Sequence, residues 1–460
     1  MEKVNKMCLG FFEVLKRASS GPLVSEKEFN LLVSKKLKEV VKEYDIKFDG
    51  ETLVPSDDSL ADDVFKAAVE FYADVGTYCM DTERVIKFTE EEIKEGLKNA
   101  PHKAFFGEGK EAKVFTPRKP ESKDPPWCHV GAGISVSSEE LLVKLVEGYA
   151  SIPEVDSVSF PILSSIDDIP IRGPALEFYC ALKTITLVQE VLRRIGRPGL
   201  PFLTLVAGAS LPIVTIAVSA SQFGLLKPSN GWLIPIYPEL KIGDNELCKI
   251  AYLLSWGARI GTEYSPMIGG HCGGPEGAAI ISVANCIQGI LLGSVYEIAW
   301  MSNIIDRCSS TKDAIWASAV SCQAISRNIF LPHIQLNYQA AGPATKMLLY
   351  EVAVGVLHAI PSGASAAYPH PAKGVGVDCM TPLEMKFNVE VSHAAIGIKR
   401  THANDIVKEL LKKYEKDVKA PPEGKKYQEC FDLKTNKPNE EYLRLYKEVK
   451  KELEDLGIAF

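Results

Sequence analysis

From Trp127 onwards the chain alternates between short apolar runs and longer segments in which apolar residues recur every three or four positions. The short runs predict β-strands, and the longer segments predict amphipathic helices. Eight strands are predicted, at residues 127–130, 155–162, 202–206, 232–236, 266–268, 297–301, 330–335 and 362–367. Each run is apolar on both faces, which is typical of parallel strands that are covered on both sides.

Helices are predicted after most of these strands, at residues 138–149, 174–195, 245–256, 275–293, 311–327, 344–358 and 381–396. Eight strand–helix repeats are the pattern of an α/β protein of the (β/α)8 type, the TIM barrel. A doubly wound open sheet is the alternative that the same alternation allows. The sequence therefore predicts a parallel sheet, with the barrel as the preferred form.

The two ends of the chain have a different pattern. Residues 1–115 are predicted to form a helical N-terminal extension, because Ser25 and Thr89 each begin a capping-box pattern ahead of helically spaced apolar residues. Residues 116–400 are assigned to the barrel. Residues 401–460 are predicted to form a C-terminal helical arm that packs on the barrel or on a neighbouring subunit.

The longest uncharged run of the protein lies between Arg197 and Lys227. Its length would suit a membrane-spanning helix, which needs about 20 consecutive apolar residues. Pro201, Gly208 and Pro212 interrupt the run, and several hydroxyl side chains dilute it. The preferred interpretation is a buried strand at residues 202–206, a loop of small residues and a second buried segment.

The composition of the chain excludes some classes of binding partner but does not identify the function. The 460 residues carry a net charge of -7, which argues against a nucleic-acid partner and against an anionic membrane surface. The first twenty residues mix charged and apolar positions as an amphipathic helix does, not as a signal peptide does. Eleven scattered cysteines without a CxxC pair indicate reduced thiols. We therefore expect a cytoplasmic protein.

In a barrel, the active site lies at the carboxyl ends of the strands, so the loops there carry the candidate chemistry. The most distinctive loop contains Gly269, Gly270, His271, Gly273 and Gly274, and such a loop lets a large planar cofactor approach the backbone. A metal site is the weaker alternative, because no second cluster of ligands has suitable spacing.

Two further side chains are candidates at the same end of the barrel. Glu263 is interpreted either as a substrate-binding carboxylate or as a structural hydrogen-bonding group. Tyr338 is either packing or a ring that presents its hydroxyl or its face to a ligand. His129, His333 and His370 have no partner that the sequence assigns, and they are interpreted as structural histidines.

The segments GTYCMDTERVIKFTEEEI (residues 76–93) and YEKDVKAPPEGKKYQECFD with the residues after it (414–460) resemble the monomethylamine:corrinoid methyltransferases of methanogenic archaea. PMIGGHCGG (266–274) and AGPATKMLLYE (341–351) continue the resemblance, which spans essentially the whole chain. It implies a (β/α)8 barrel assembled as a homohexamer. It also implies transfer of a methyl group to the Co(I) of a separate corrinoid protein, which docks over the barrel mouth.

The resemblance also shows a departure at the family's catalytic residue, pyrrolysine, whose electrophilic ring holds the amine. The corresponding position here is Leu203, or Leu205 or Val206 if a small insertion lies earlier. None of these side chains can form a covalent adduct. The resemblance therefore implies a family member that lacks pyrrolysine.

Other polar members of the family's site are also replaced. A family glutamate aligns with Leu233, and a family glutamine aligns with Leu336, although the adjacent Gln335 would serve in a slipped register. Glu263 and Tyr338 match the family's pattern. Losing an electrophile favours losing its polar neighbours, because an unpaired buried polar group costs roughly 1–3 kcal/mol.

These residues lead to one hypothesis and one rival. The hypothesis is a corrinoid-dependent methyltransferase that acts on a quaternary ammonium or another activated methyl donor instead of monomethylamine, with Glu263 and Tyr338 binding the cation and the glycine loop facing the corrinoid. The corrinoid is carried by the partner protein and is not bound covalently by this chain. The rival is a non-catalytic homologue that binds a corrinoid protein or a ligand as a scaffold.

Overall fold

A computed structural model describes residues 2–131, 135–167, 169–204, 211–219 and 225–460, with side chains from residue 10 onwards. Two predicted site residues, Leu205 and Val206, lie outside the described residues.

Six strands form one parallel sheet and lie side by side in chain order. They are β3 (Leu203–Thr204), β4 (Gly231–Pro235), β5 (Arg259–Tyr264), β6 (Tyr296–Ala299), β7 (His333–Tyr338) and β8 (Ala366–His370). The numbering begins at β3 because two shorter strands precede these six in the chain. Every pairing within this sheet is parallel. The sheet is curled into a half-barrel, and this confirms the predicted α/β class.

Two shorter strands precede the sheet in the chain and lie beside it. β1 (His129–Val130) and β2 (Ser157–Val158) pair in parallel. A single parallel bridge joins Val158 to Phe202, just before β3. On the other side, the backbone N–H of Trp127 donates to the carbonyl of Ser365, just before β8, at 2.8 Å. Backbone contacts therefore link β1 and β2 to both edges of the six-stranded sheet.

The helices predicted between the strands are present, with ends shifted by a few residues. They are Glu139–Ala150, Pro174–Arg194, Asp244–Ser255, Pro275–Leu291, Lys312–Ala324, Lys346–Ala359 and Pro382–Ala394. A further short helix, Pro212–Ser219, follows β3. Among the residues that the structure describes, no helix is long and apolar enough to cross a membrane.

The fifth strand was predicted in the wrong place. It is Arg259–Tyr264, whereas the predicted residues 266–268 contain a separate short strand, Met267–Ile268, that pairs with Ser302–Asn303. The true strand reads RIGTEY, and its Gly, Thr and Glu residues break the apolar pattern. Gly261 is required by packing, because an added Cβ would lie 2.4 Å from Cζ of Tyr296.

The last two strands of the sheet begin later than predicted because the preceding helices end in left-handed turns. A π-helical turn, Ile325–Ile329, extends the helix before β7, and Phe330 closes it with φ of 59°. Gly363, with φ of 96°, follows the helix before β8. Such residues end a helix and redirect the chain, so β7 starts at His333 and β8 at Ala366.

The N-terminal extension contains four helices, Glu2–Ser20, Glu26–Glu43, Asp58–Val75 and Glu90–Lys98. The capping boxes predicted at Ser25 and Thr89 are confirmed. Four short strands that the sequence did not predict are also present: Thr77–Cys79, Arg84–Ile86, Ala104–Phe106 and Lys113–Phe115. The extension is therefore not purely helical.

The hairpin made by the last two of these strands closes the amino end of the curled sheet. Phe106 and Phe115 pack against Trp127 and Tyr296, with ring centroids 5.0–6.4 Å apart. Further inward-facing side chains complete this cluster: Leu203, Leu233, Ile298, Ile334, Leu336, Ala366 and Tyr368. Because the interior is filled from the amino end, the free space lies at the carboxyl ends of the strands.

The C-terminal arm consists of the helices Arg400–Lys412, Tyr427–Cys430 and Glu440–Asp455, with a short antiparallel strand pair, Phe431–Asp432 and Lys437–Pro438, between the last two. The bridge before Tyr427 runs against the loop that follows β7: Gly342 N–H donates to the Pro422 carbonyl at 3.0 Å, and Lys425 N–H donates to the Pro343 carbonyl at 2.8 Å. The arm is thereby attached to the carboxyl end of the sheet.

Candidate active site

A cavity of about 330 Å³ lies at the carboxyl ends of the parallel strands. Its described lining residues are Ser159, Phe160, Ile162, Thr204, Leu233, Pro235, Ile236, Pro238, Glu263, Tyr264, Ser265, Trp300, Tyr338, Tyr368, His370 and Gly374. The topology explains this gathering, because parallel strands bring their carboxyl ends to one edge and the loops that follow surround it. The volume is that of a site for a small molecule.

Glu263 is the one acidic side chain among the described lining residues. It lies within β5, one residue before the end of that strand. Only 7% of the residue is exposed, and its Oε2 atom has no hydrogen-bond partner among the described residues. Burial raises its pKa to about 8, because transfer out of water disfavours the charged form. At neutral pH the carboxyl group is therefore mostly protonated.

Aromatic side chains form much of the remaining wall. The ring of Tyr338 meets the ring of Trp300 edge to face, with centroids 5.2 Å apart, and meets the ring of His370 at 4.4 Å. Tyr368 contacts the ring of His129 in the same way, at 4.7 Å. Burial raises the pKa of the Tyr338 hydroxyl, so it stays protonated. Tyrosine and tryptophan rings attract cations through their faces.

His370 is a lining residue that the sequence analysis did not assign to the site. Its imidazole Nδ1 has no partner among the described residues, and burial lowers its pKa to about 3, so the ring is neutral. The backbone N–H of His370 donates to Oε1 of Gln339 at 3.0 Å. Gly374, with φ of 71°, lies close to the ring of Tyr338, since an added Cβ would be 3.1 Å from its Cζ.

His129 differs from His370 because both of its ring nitrogens have partners. Nδ1 lies 2.8 Å from Oγ of Ser157, and Nε2 lies 3.2 Å from Oγ of Ser159. The Ser159 hydroxyl also approaches the carbonyl of Leu203 at 2.5 Å. His129 is thus a structural histidine, as predicted, and it ties β1 to β2 beneath the cavity.

The leucines that replace polar residues of the family pattern occupy two different levels. Leu233 lines the cavity. Leu203 and Leu336 are fully buried in the cluster beneath it and are not among the cavity's described lining residues. The sequence placed all three in the substrate pocket, whereas the structure brings only Leu233 to the cavity wall.

Gln335 does not face the cavity, so the slipped register proposed from the sequence is wrong. Its Nε2 donates to the carbonyl of Leu336 at 2.9 Å and to Oγ of Ser318 at 3.3 Å. The thiol of Cys322 lies 3.5 Å from its Oε1. Ser318 and Cys322 belong to the helix Lys312–Ala324 outside the sheet. Alternate residues of a strand face opposite sides, so Gln335 points outward while Tyr338 and Leu336 face inward.

The glycine loop lies at the rim and contributes no described lining residue to the cavity. Gly269, His271, Gly273 and Gly274 are exposed, and Gly270 is half-buried. The loop closes on itself, since Gly269 N–H donates to the Gly273 carbonyl at 2.8 Å. Its exposed position leaves it free to contact a large group above the cavity.

A second buried carboxyl group supports the strand that carries Glu263. Glu297, on β6, accepts a hydrogen bond from the hydroxyl of Tyr264, the last residue of β5. Burial raises the pKa of Glu297 to about 7. It faces the helix Pro275–Leu291, where Gly289 leaves room for it, and therefore lies on the opposite side of the sheet from the cavity.

Comparison with known proteins identifies relatives along the whole chain. The family model described as "Monomethylamine methyltransferase MtmB" matches residues 9–458. Monomethylamine methyltransferase MtmB1 of Methanosarcina barkeri and MtmB of Methanosarcina mazei are each 29% identical to this chain over 467 aligned positions. In both cases the alignment covers 98% of this chain and 98% of the relative.

Two solved structures have the same fold. The crystal structure of the Methanosarcina barkeri monomethylamine methyltransferase superposes with a TM-score of 0.93. The crystal structure of a hydroxylamine complex of MtmB superposes with a TM-score of 0.92. Sequence identity is 27% in both, and each comparison covers 98% of both chains. The similarity therefore includes the sheet, the extension and the arm.

Proposed function

The chain belongs to the monomethylamine methyltransferase family, and from that premise we propose that it is a corrinoid-dependent methyltransferase whose methyl donor is not monomethylamine. The donor is a small molecule whose leaving group departs neutral, a quaternary ammonium compound above all. The observation that carries this proposal is the cavity itself, where buried Glu263 lies among the rings of Tyr338, Tyr368 and Trp300.

The replaced residues support a donor other than monomethylamine. The family resemblance implies pyrrolysine near positions 203–206, where this chain has Leu203, Leu205 and Val206. Without an electrophilic side chain to activate it, a primary amine that enters the cavity in its neutral form has to give up its methyl group with the amide ion as leaving group, which is very poor. A quaternary ammonium loses a methyl group and leaves as a neutral tertiary amine. The missing residue is then not needed.

The residues of this chain bind, orient and desolvate the donor. Glu263 supplies a carboxyl group for the cation, and the faces of Tyr338, Tyr368 and Trp300 attract its methyl groups. Leu233 keeps the wall apolar, so water is excluded from the reacting methyl. Holding the methyl group toward the open end of the cavity reduces the entropic cost of the transfer.

The corrinoid of a partner protein supplies the cobalt nucleophile that accepts the methyl group, and the rim of this chain fits a docking partner. Large apolar side chains are exposed on the segments that follow the strands: Ile169, Tyr179, Ile213, Ile216, Tyr237, Ile304, Ile305 and Val375. Ile305 and Val375 are 81% and 79% exposed. Exposed apolar side chains around a cavity mark an interaction surface. The glycine loop faces the corrinoid at this surface.

The proposal includes the wider architecture that the family implies. β1 and β2 complete the six-stranded sheet to a closed (β/α)8 barrel over residues 116–400. Residues 1–115 form the extension, and residues 401–460 form the arm. The protein assembles as a homohexamer.

The test is methyl transfer to the reduced corrinoid protein over a panel of N-, O- and S-methyl compounds. The proposal expects transfer from a quaternary ammonium and none from monomethylamine. Inactivity across the whole panel would contradict it and would favour a non-catalytic scaffold. The open cavity of about 330 Å³ beside a buried carboxyl group favours a protein that binds a small molecule over a scaffold that binds only a corrinoid protein.

A further inference from the structure

The described lining residues of the cavity carry no fixed charge at neutral pH. Among its described lining residues there is no lysine or arginine, and Glu263 is its one acid. The carboxyl group of Glu263 is buried, and its Oε2 has no partner among the described residues. An ionised carboxylate in such surroundings has lost most of its contact with solvent and has no counter-ion among the described lining residues. The carboxyl group therefore carries a proton while the cavity holds no cation.

The groups that face Glu263 from the neighbouring elements do not supply that counter-ion. β4 contributes Leu233 and Pro235, which are apolar, and β6 contributes the rings of Tyr296 and Trp300. β7 and β8 contribute Tyr338, Tyr368 and His370, whose imidazole is neutral because burial lowers its pKa to about 3. His129 of β1 lies beneath the cavity and is neutral for the same reason. From the second strand comes the hydroxyl of Ser159.

A permanently charged ligand changes the net charge inside the cavity. A quaternary ammonium has no proton to lose, so it enters the cavity with its full charge. A lone buried charge costs several kcal/mol after its environment relaxes, whereas a close pair of opposite charges offsets much of that cost. The surrounding rings reduce the cost further but leave the net charge in place. Ionisation of Glu263 is the one change among the described lining residues that makes the occupied cavity neutral.

We propose that the cavity binds a permanently cationic methyl donor in exchange for the carboxyl proton of Glu263, so that each cation bound releases one proton to solvent. In this step the O–H bond of Glu263 breaks and water takes the proton, while all bonds of the donor remain intact. The cavity is neutral before and after binding. The inference rests on the proposed function, because it concerns the same cavity and the cationic class of donor.

Proton exchange distinguishes donor classes. A permanent cation forces Glu263 to ionise, and its affinity rises about tenfold per pH unit below the pKa of that group. A neutral O- or S-methyl compound leaves the proton on Glu263, so its affinity does not depend on pH. Monomethylammonium is able to release its own proton and enter neutral. Its affinity then rises with pH in the same way, so rising pH favours quaternary ammonium compounds only over the neutral O- and S-methyl compounds.

The test is calorimetric titration of the full-length protein with tetramethylammonium chloride at pH 7, in two buffers with different enthalpies of ionisation. The difference in observed heat between the buffers gives the number of protons released. We expect about 0.9 proton per cation, since a group with a pKa of about 8 is still about nine-tenths protonated at pH 7. At pH 8 the number should fall to about half.

Two variants make the result specific. Glu263→Gln should release no proton and should bind the cation at least about tenfold more weakly, because the amide cannot supply the counter-charge. Glu384→Gln is the matched control. Glu384 is also fully buried with a pKa raised to about 7, but it lies beside Thr381 and is not among the described lining residues of the cavity. Its replacement should leave proton release unchanged.

The possible failures are distinguishable. If tetramethylammonium binds without proton exchange, or if Glu263→Gln still releases a proton, the inference is overturned and the proposed function stands. If tetramethylammonium does not bind to the wild-type protein, the cationic donor in the proposed function is overturned as well. A neutral methyl ether that binds with release of a proton would also contradict the inference.

Discussion

Replacing Glu263 by glutamine should stabilise the empty protein, and the gain should grow with pH. The folded-state pKa of Glu263 is about 8, compared with an ordinary value of 4.5. Below pH 4.5 the group is neutral in both the folded and the unfolded chain, so burial of its charge costs nothing. As pH rises from 4.5 towards 8, the unfolded chain gains a carboxylate that the folded chain does not, and the free energy of unfolding falls.

The size of this effect follows from the two pKa values. One pKa unit corresponds to about 1.36 kcal/mol, so an ionisable Glu263 lowers the free energy of unfolding by less than about 1 kcal/mol at pH 5. At pH 7 the same group lowers it by about 3 kcal/mol. Glutamine has the same shape and does not ionise. The stability advantage of Glu263→Gln over the wild type should therefore increase by about 2–3 kcal/mol between pH 5 and pH 7.

The assay is urea unfolding of both proteins at pH 5 and at pH 7, without ligand. Comparison of the two proteins at each pH isolates Glu263, because the other buried carboxyl groups, such as Glu297 and Glu351, are common to both. Glu28→Gln is a control of opposite sign, since hydrogen bonds from Ser25 hold the pKa of Glu28 below its usual value. That variant should not gain on the wild type as pH rises. An advantage of Glu263→Gln that is the same at both pH values would refute the reasoning.

Substitutions at three other positions, with one control position, test the cavity and its support. Tyr338→Phe should keep the affinity for tetramethylammonium within about twofold, whereas Tyr338→Ala should lose about tenfold or more, as calorimetry would show, because the ring face is the binding element. Gly342→Ala would place a Cβ 1.7 Å from the carbonyl oxygen of Glu423, so it should lower the free energy of unfolding by about 2 kcal/mol in urea titrations. Gly10→Ala, where an added Cβ meets nothing within 4 Å, should instead be neutral or slightly stabilising. Gln335→Leu should destabilise the protein by about 1 kcal/mol without changing the affinity for tetramethylammonium. A weaker affinity in this variant would show that Gln335 does contact the cation in the cavity.

Those parts of the fold that follow from local patterns were predictable from the sequence. Capping boxes at Ser25 and Thr89 depend on residues three positions apart, and both helices begin where predicted. Strands that are buried along nearly their whole length, such as β4 and β6, were also located. Their burial on both faces leaves a clear signal in the sequence.

β5 was misplaced because its glycine and polar residues interrupt the apolar pattern. The strand carries Gly261 to make room for Tyr296 and carries Glu263 for the cavity, so two of its inward positions are not apolar. Periodicity therefore favoured the neighbouring residues 266–268. The polar residues of this strand themselves indicate a binding site, because burying a carboxyl group in a central strand costs free energy unless the group is paired.

The site residues that were missed depend on contacts between distant parts of the chain. His129 and His370 look alike in sequence, but serines on β2 satisfy the first, whereas the second has an unpartnered nitrogen at the cavity. Likewise, only the register of β7 shows that Gln335 faces a helix. Tertiary structure alone separates these cases.

The central claim, methyl transfer from a quaternary ammonium without pyrrolysine, is tested most directly by a single-turnover comparison of two donors. Tetramethylammonium and monomethylamine are each mixed with this protein and its reduced corrinoid partner, and methylation of the corrinoid is followed spectroscopically. The account predicts rapid methylation by tetramethylammonium, loss of that rate in Glu263→Gln, and no methylation by monomethylamine above the protein-free control. Methylation by monomethylamine, with tetramethylammonium inactive, would contradict it.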